Sequence, residues 1–341
     1  MPPPEADHPT LGVVVVTYAA ADVIATCLET LMGAKNVKLR VVVIDNGSPD
    51  NTCETIRAWA SGSKQVNVTL PFDVPAVSKP IPLDGSGSTH HVTLVETGTN
   101  SGFAGGVNKG LALLTQDPEV DRFWILNPDC AVPPDTPALF ASAPDGFSLM
   151  GGRIVFLDDP DKIQIDGGHM RWATGVTYNA GYLQDPASTP APDPTTLDFI
   201  SGASMVASRA FYESVGPMQE DYFLYYEEVD WAQRRNAPLA YAHDAVVYHE
   251  GGASIGSRTT KQEASALSLY FIYRARVKYL WRFWKFGIPG AMAYSFAKAV
   301  QFMIRGEFSA GYTLMLGAFQ LPPPKDVRQK LKGSGFSTVG K

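Results

Sequence analysis

Three short stretches of the 341-residue chain carry side chains able to do chemistry together. Asn127-Pro128-Asp129 follows an apolar run, and a carboxylate there can reach a hard divalent cation that also grips a diphosphate. The same three residue types equally make a type I turn. His249 closes the run AVVYH; a neutral imidazole suits a manganese-like ion, although a lone histidine at a strand end more often serves structure. Glu227, Glu228 and Asp230 lie among Tyr222, Phe223, Tyr225, Tyr226 and Trp231. On a helix Glu227 and Asp230 share a face and Asp230 pairs with Arg234, so solvated salt bridges would account for them. Against that, aromatic surroundings raise a carboxyl pKa toward use as a general base. Beyond them Arg258, Lys261, Arg274 and Arg276 offer positive charge to a pyrophosphate or an anionic acceptor.

The elements that must position these groups alternate strand and helix. Residues 11–17 (LGVVVVT), 39–45 (LRVVVID), 91–97 and 123–126 read as strands, the first a near-continuous β-branched run expected where both faces are covered. Helices are expected over 23–32, from Ser48-Pro49-Asp50 onward, over 104–114 and over 225–235. That is the pattern of a mainly parallel sheet with helices on both faces. Residues 71–90 and 184–196 are Pro-, Gly- and Ser-rich loops, and 151–183 reads as a hairpin-bearing subdomain. In such a sheet, ligands bind beyond the carboxyl ends of the strands. Thr17-Tyr18, Asp45-Asn46, Asn100 and Asn127-Pro128-Asp129 all fall at those ends, a coincidence more telling than any one of them.

Several classes are disfavoured. The glycines of NSGFAGGVNKG at 100–110 do not match GxGxxG, and the chain has no GxxxxGK[ST] loop. A net charge of −6 argues against nucleic acid as the main partner. Three scattered cysteines fit neither a disulfide framework nor a zinc site and suit a reducing cytosol, and the N-terminal residues do not read as a secretory signal.

Taken in order, VVVVTY (13–18), VIDNGSPD (43–50), NSGFAGGVNKG (100–110), ILNPDC (125–130), ISGASMVASRAFYESVG (200–216), YFLYYEEVDWAQR (222–234) and VVYHEGG (246–252) resemble the family 2 glycosyltransferases of GT-A fold. Within them the likeness is to the rhamnosyltransferase-like and galactofuranosyltransferase-like members, and it runs over about residues 11–276. The resemblance implies a catalytic domain over 1–258, with a nucleotide-binding half at about 11–130 and an acceptor-binding half at about 131–258. It implies that Thr17, Tyr18, Asp45 and Asn46 bind base and ribose, and that Asn100, Gly102, Phe103 and Asn108 line the donor site. Asn127-Pro128-Asp129 stands as the family's DXD motif, with Asp129 and His249 on a manganese or magnesium ion and Arg258 near the donor. Ser201, Gly202 and Trp231 would hold the acceptor. The second acid of EEVD, Glu228, matches the family's base but is Glu in place of Asp, so Glu227 and Asp230 stay open for that role.

The implied reaction is an inverting, metal-dependent transfer of a sugar, L-rhamnose from dTDP-L-rhamnose ahead of UDP-sugars, to a saccharide or lipid-linked saccharide in cell-surface polysaccharide synthesis. A sugar nucleotidyltransferase would want a basic glycine-rich loop after the first strand, which TYAAAD lacks. An inactive homologue serving as a binding subunit is the other alternative. Residues 259–341 are expected to be helical. Their aromatic-basic stretch at 270–286 suits a lipid interface, a second subunit or a plain core-packing face, while Pro289, Gly290 and Lys298 make 288–304 a poor membrane span. A cytoplasmic enzyme, peripheral at the inner face of the membrane, is the expected setting.

Overall fold

The computed structural model describes residues 8–87, 89–250, 265–332 and 334–336. In chain order the elements are β1 (Thr10–Thr17), α1 (Ile24–Met32), β2 (Lys38–Asp45), α2 (Thr52–Ser61), β3 (His90–Glu96), α3 (Gly102–Leu114), β4 (Arg122–Leu126), β5 (Cys130–Ala131), α4 (Thr136–Ser142) and β6 (Leu149–Phe156). Then come β7 (Ile163–Ile165), β8 (Gly168–Arg171), β9 (Val176–Asn179), β10 (Ser204–Ser208), α5 (Arg209–Val215), α6 (Glu227–Gln233) and β11 (Leu239–His249). The tail carries α7 (Ala266–Phe283), α8 (Ile288–Ile304), α9 (Phe308–Ala318) and α10 (Lys325–Lys330).

Nine strands form one mixed sheet in the order β3-β2-β1-β4-β10-β6-β11-β5, with β7 attached to β6. β3, β2, β1 and β4 are mutually parallel, and β10 enters antiparallel between β4 and β6. β1 is central and apolar on both sides because each side faces a core. Val13 and Val15 pack toward α1 and α2, while Val14 packs toward α3. The glycine-rich segment serves that packing. A Cβ on Gly106 would stand 2.5 Å from Val16, and one on Gly110 2.5 Å from Val14, so the glycines let α3 lie directly on β1.

Two expected boundaries move for local reasons. α2 starts at Thr52, not at Ser48, because the Asp50 carboxylate accepts the Thr52 amide while Ser48 is engaged with Asp45. The helix expected over 225–235 starts only at Glu227, because Tyr225 and Tyr226 hold left-handed φ of 67° and 68°. Of the subdomain expected at 151–183, β6 and β7 join the main sheet and β8–β9 form a separate hairpin. Among the tail helices, α7 contributes Ala275, Tyr279 and Leu280 to the core around α3.

Candidate active site

The floor of the site is set by the end of β2. Asp45 is buried and accepts hydrogen bonds from Thr17 Oγ1 at 3.0 Å and from the Ser48 amide at 3.0 Å. Asn46 beside it is satisfied on both ends of its amide. Its Nδ2 donates to Asn100 Oδ1 (3.1 Å) and to the Gly102 carbonyl (2.9 Å), while its Oδ1 accepts from the Ser101 amide (3.1 Å) and hydroxyl. Asn100 Oδ1 also accepts the Gly102 amide at 2.9 Å. The ends of β2 and β3 are therefore laced together by groups with no free hydrogen-bonding capacity on the Asn46 amide, a preformed surface.

Asp129 and His249 lie 120 residues apart, yet their side chains meet. The reason is backbone pairing: His249 lies opposite Cys130 where β11 runs antiparallel to β5. His249 Nε2 stands 3.0 Å from Asp129 Oδ1 and 3.4 Å from Asn127 Nδ2. On the other side of the ring, Nδ1 stands 2.6 Å from Gln164 Oε1. With Nδ1 donating to that amide oxygen, neutral imidazole turns the Nε2 lone pair toward a carboxylate. Two acceptors at that distance need a positive charge between them, and a carboxylate oxygen with an imidazole nitrogen is a fitting donor pair for a divalent cation. Cys130 is within reach of the same pair, but its Sγ turns to the Ala203 carbonyl at 3.5 Å and the residue is buried. Gln164, on β7, was not expected from sequence; a glutamine in a three-residue strand carries no signal of a role 85 positions away.

A cavity of about 610 Å³ opens above these groups. Tyr18, Asn46, Asn100, Gly102, Phe103, Asn127, Asp129 and His249 line it, and so do Phe223, Leu224, Lys330 and Lys332. The two lysines were not anticipated. They arrive with the end of α10 and the residues after it, which the chain holds near the site: the Gly335 amide donates to the Asn100 carbonyl at 2.6 Å, and Phe336 packs on Phe223 and Phe271.

The acid cluster follows the strained turn. Glu227 is buried, and among the described residues one of its carboxylate oxygens has no hydrogen-bond partner. Burial, and then the Glu228 charge beside it, hold its pKa well above the ordinary range. Glu228 is pushed up to about 7 by burial. A methyl group built on Gly202 would lie 3.4 Å from the Phe103 ring and 3.7 Å from Glu228 Cβ, so Ser201-Gly202, Phe103 and Glu228 are neighbours. Phe103 belongs to the cavity wall, and Glu228 lies beside Gly202 without being part of that wall.

Other expected site residues are placed elsewhere. Asp230 is fully buried and saturated by Tyr222 Oη (2.9 Å), Arg234 Nε (2.8 Å) and Arg282 (2.5 Å), so it anchors a structural network and is not open to act as a base. Trp231 is fully buried, its indole donating to the Gly216 carbonyl at 2.9 Å, and is not available to an acceptor. Asn108 spends its amide on Met218 and Glu220, tying α3 to the segment before α6. Thr17 holds Asp45 and is itself buried. Arg274 and Arg276 are buried on α7 beneath aromatic rings, and Arg258 and Lys261 lie outside the described residues.

Comparison with known proteins agrees with this geometry. The family described as glycosyl transferase family 2 matches residues 12–70, which span β1 to the end of α2. N-acetylglucosaminyl-diphospho-decaprenol L-rhamnosyltransferase of Mycobacterium tuberculosis is 23% identical over 318 residues, covering 87% of this chain and 94% of the relative. The chain is a glycosyltransferase that resembles family 2. Low-salt glycan biosynthesis hexosyltransferase Agl10 of Haloferax volcanii is 20% identical to the glycosyltransferase over 226 residues, 66% of this chain and 61% of Agl10. In fold it matches the mannosyltransferase PcManGT of Pyrobaculum calidifontis, solved with GDP-Man and Mn2+, at a TM-score of 0.50 and 15% identity over 96% of this chain and 80% of the other. S. aureus TarS 1–349, solved with UDP-GlcNAc, gives a TM-score of 0.50 at 12% identity over 94% and 83%. The GT-A fold expected from sequence is the fold found.

Proposed function

We propose that this glycosyltransferase moves L-rhamnose from dTDP-L-rhamnose to a saccharide or lipid-linked saccharide, with inversion at the anomeric carbon. The observation that carries the reading is the meeting of Asp129 and His249 in the wall of a 610 Å³ cavity floored by the Asn46–Asn100 lattice. The name of the M. tuberculosis relative supports rhamnose and a lipid-linked acceptor. Tyr18, Asn46 and Asn100 would receive the nucleoside, and Asp129 with His249 would hold Mn2+ or Mg2+. When bound, that ion offsets charge on the departing diphosphate.

The protein's own groups do the rest. Lys330 and Lys332, in the same wall, supply further positive charge to the phosphates. Glu228, poised near neutrality, accepts the proton of the acceptor hydroxyl as its oxygen attacks the anomeric carbon. The new carbon–oxygen bond forms as the bond to the diphosphate breaks, and the nucleoside diphosphate leaves with the electron pair. Ser201 and Gly202, beside Glu228, place the acceptor.

The test is a panel of dTDP-rhamnose, UDP-GlcNAc, UDP-galactose and GDP-mannose offered with a polyprenyl-diphosphate-linked N-acetylglucosamine, followed by NMR of the product's anomeric carbon. Transfer from dTDP-rhamnose with inverted configuration supports the proposal. Preference for another donor, or retention of configuration, overturns it.

A further inference from the structure

The tail helices invert the usual arrangement of an amphipathic helix. On α8 the residues turned inward are small: Ala291, Ser295 and Ala299 are buried, and a Cβ on Gly311 of α9 would lie 3.0 Å from the Ala299 carbonyl. The large apolar residues face outward. Phe296 is 63% exposed and Ile304 81%, with Val300 between them at the spacing of a single helical stripe. On α9, Phe308 and Tyr312 are exposed at i,i+4, and Phe286 at the entrance to α8 is 85% exposed. Large apolar side chains clustered on outward helix faces in this way mark a surface that something covers.

Charge indicates what covers it. Residues 285–324 hold three basic side chains, Lys285, Lys298 and Arg305, and one acidic one, Glu307, in a chain whose net charge is −6, whereas the cations of α7 are buried or paired with Asp221 and Asp230. Lys285 and Arg305 are exposed at the two ends of α8, and Lys298 is half-buried on another side of the helix, donating to Gln301. Two copies of this face would set like charges against each other, whereas an anionic headgroup layer meets both the cations and the apolar stripe. Among the described residues no helix is long and apolar enough to cross a membrane, so the geometry is that of helices lying in the interface.

We propose that the outward faces of α8 and α9 dock this protein on an anionic lipid surface, with Phe296, Val300, Ile304 and Phe308 in the acyl boundary and Lys285 and Arg305 on the headgroups. Of the readings open for the aromatic-basic stretch at 270–286, the packing of α7 fits a core-packing face, since most of that helix is buried. The docking face is the following pair of helices. This surface lies outside the donor cavity and does not depend on the donor chosen.

The experiment is flotation of the full-length protein with vesicles of phosphatidylcholine alone or mixed with phosphatidylglycerol, at low and high salt. The expected result is binding to the anionic vesicles that high salt weakens, and a fall of roughly tenfold or more in the variant F296S/V300S/I304S. Unchanged circular dichroism shows that this variant is folded, since all three side chains point to solvent. No flotation of the parent protein, or flotation untouched by the substitutions, overturns the proposal. So does a parent dimer that the substitutions convert to monomer while vesicle binding persists, because the face then belongs to a second copy.

Discussion

The carboxylates at the end of β2 and those at the start of α6 are the same chemistry in opposite electrostatic settings. Asp45 accepts from a threonine, a serine amide and a serine hydroxyl, all supplied within or beside the turn it closes. Glu227 and Glu228 emerge from a turn of left-handed residues, Glu227 buried and Glu228 half-buried, and among the described residues one Glu227 oxygen finds no donor. A carboxylate whose acceptors are filled by fixed donors holds a surface in place. Burial raises the proton affinity of both, and Glu228, at about 7, can move a proton near neutral pH. Asp230, three residues on from Glu227, belongs with Asp45: its two arginines and a tyrosine consume it.

Substituting the two kinds of acid is the sharpest way to break this contrast. Glu228→Gln should lower kcat by roughly a thousandfold, the scale of a lost general base, while leaving nucleotide binding intact in a thermal-shift assay. An equal loss of nucleotide binding would mean that Glu228 belongs to the donor floor instead. Asp230→Asn should act on stability, costing about 2–4 kcal/mol in chemical denaturation, on the low side for a broken buried pair because Arg234 and Arg282 still reach water. A stable Asp230→Asn enzyme with lost activity would return Asp230 to the catalytic list.

The pH dependence sharpens the comparison further. As a base, Glu228 works ionised, so kcat/KM should rise with pH and level off above about 7. The same raised pKa costs stability at high pH. Between its ordinary value of 4.5 and about 7, the unfolded chain ionises this group while the folded one keeps it protonated, so stability falls as pH rises through that window. Glu228→Gln should therefore melt a few degrees above the parent at pH 8, with the difference gone at pH 4. A constant difference across that range would contradict the assignment. The smallest expected effect is on the far wall: K330A/K332A should raise the donor KM several-fold with kcat little changed, since mobile surface lysines contribute about 1 kcal/mol or less to an anion.

Much of the donor side was legible because its residues sit at strand ends, and strand ends are read from apolar runs. Tyr18, Asn46, Asn100, Asn127 and Asp129 line the cavity for that reason. The glycine-rich segment was legible as a strand–helix junction but not as packing, because close approach of α3 to β1 depends on which face Val14 and Val16 present. Trp231 and Asp230 were misjudged because a window of aromatics and acids looks alike whether it lines a pocket or fills a core. Gln164, Lys330 and Lys332 carried no local signal at all. They reach the site through β7 and the end of α10, contacts made across more than eighty residues of sequence.

Calorimetric titration of Mn2+ in the presence of dTDP, on the parent protein and on Asp129→Ala, tests the joint at which Asp129 meets His249 most directly. One Mn2+ per chain is expected in the parent, bound more tightly with the nucleotide than without it, and none at comparable affinity in Asp129→Ala. Equal Mn2+ binding by both proteins, or binding indifferent to dTDP, would contradict the account.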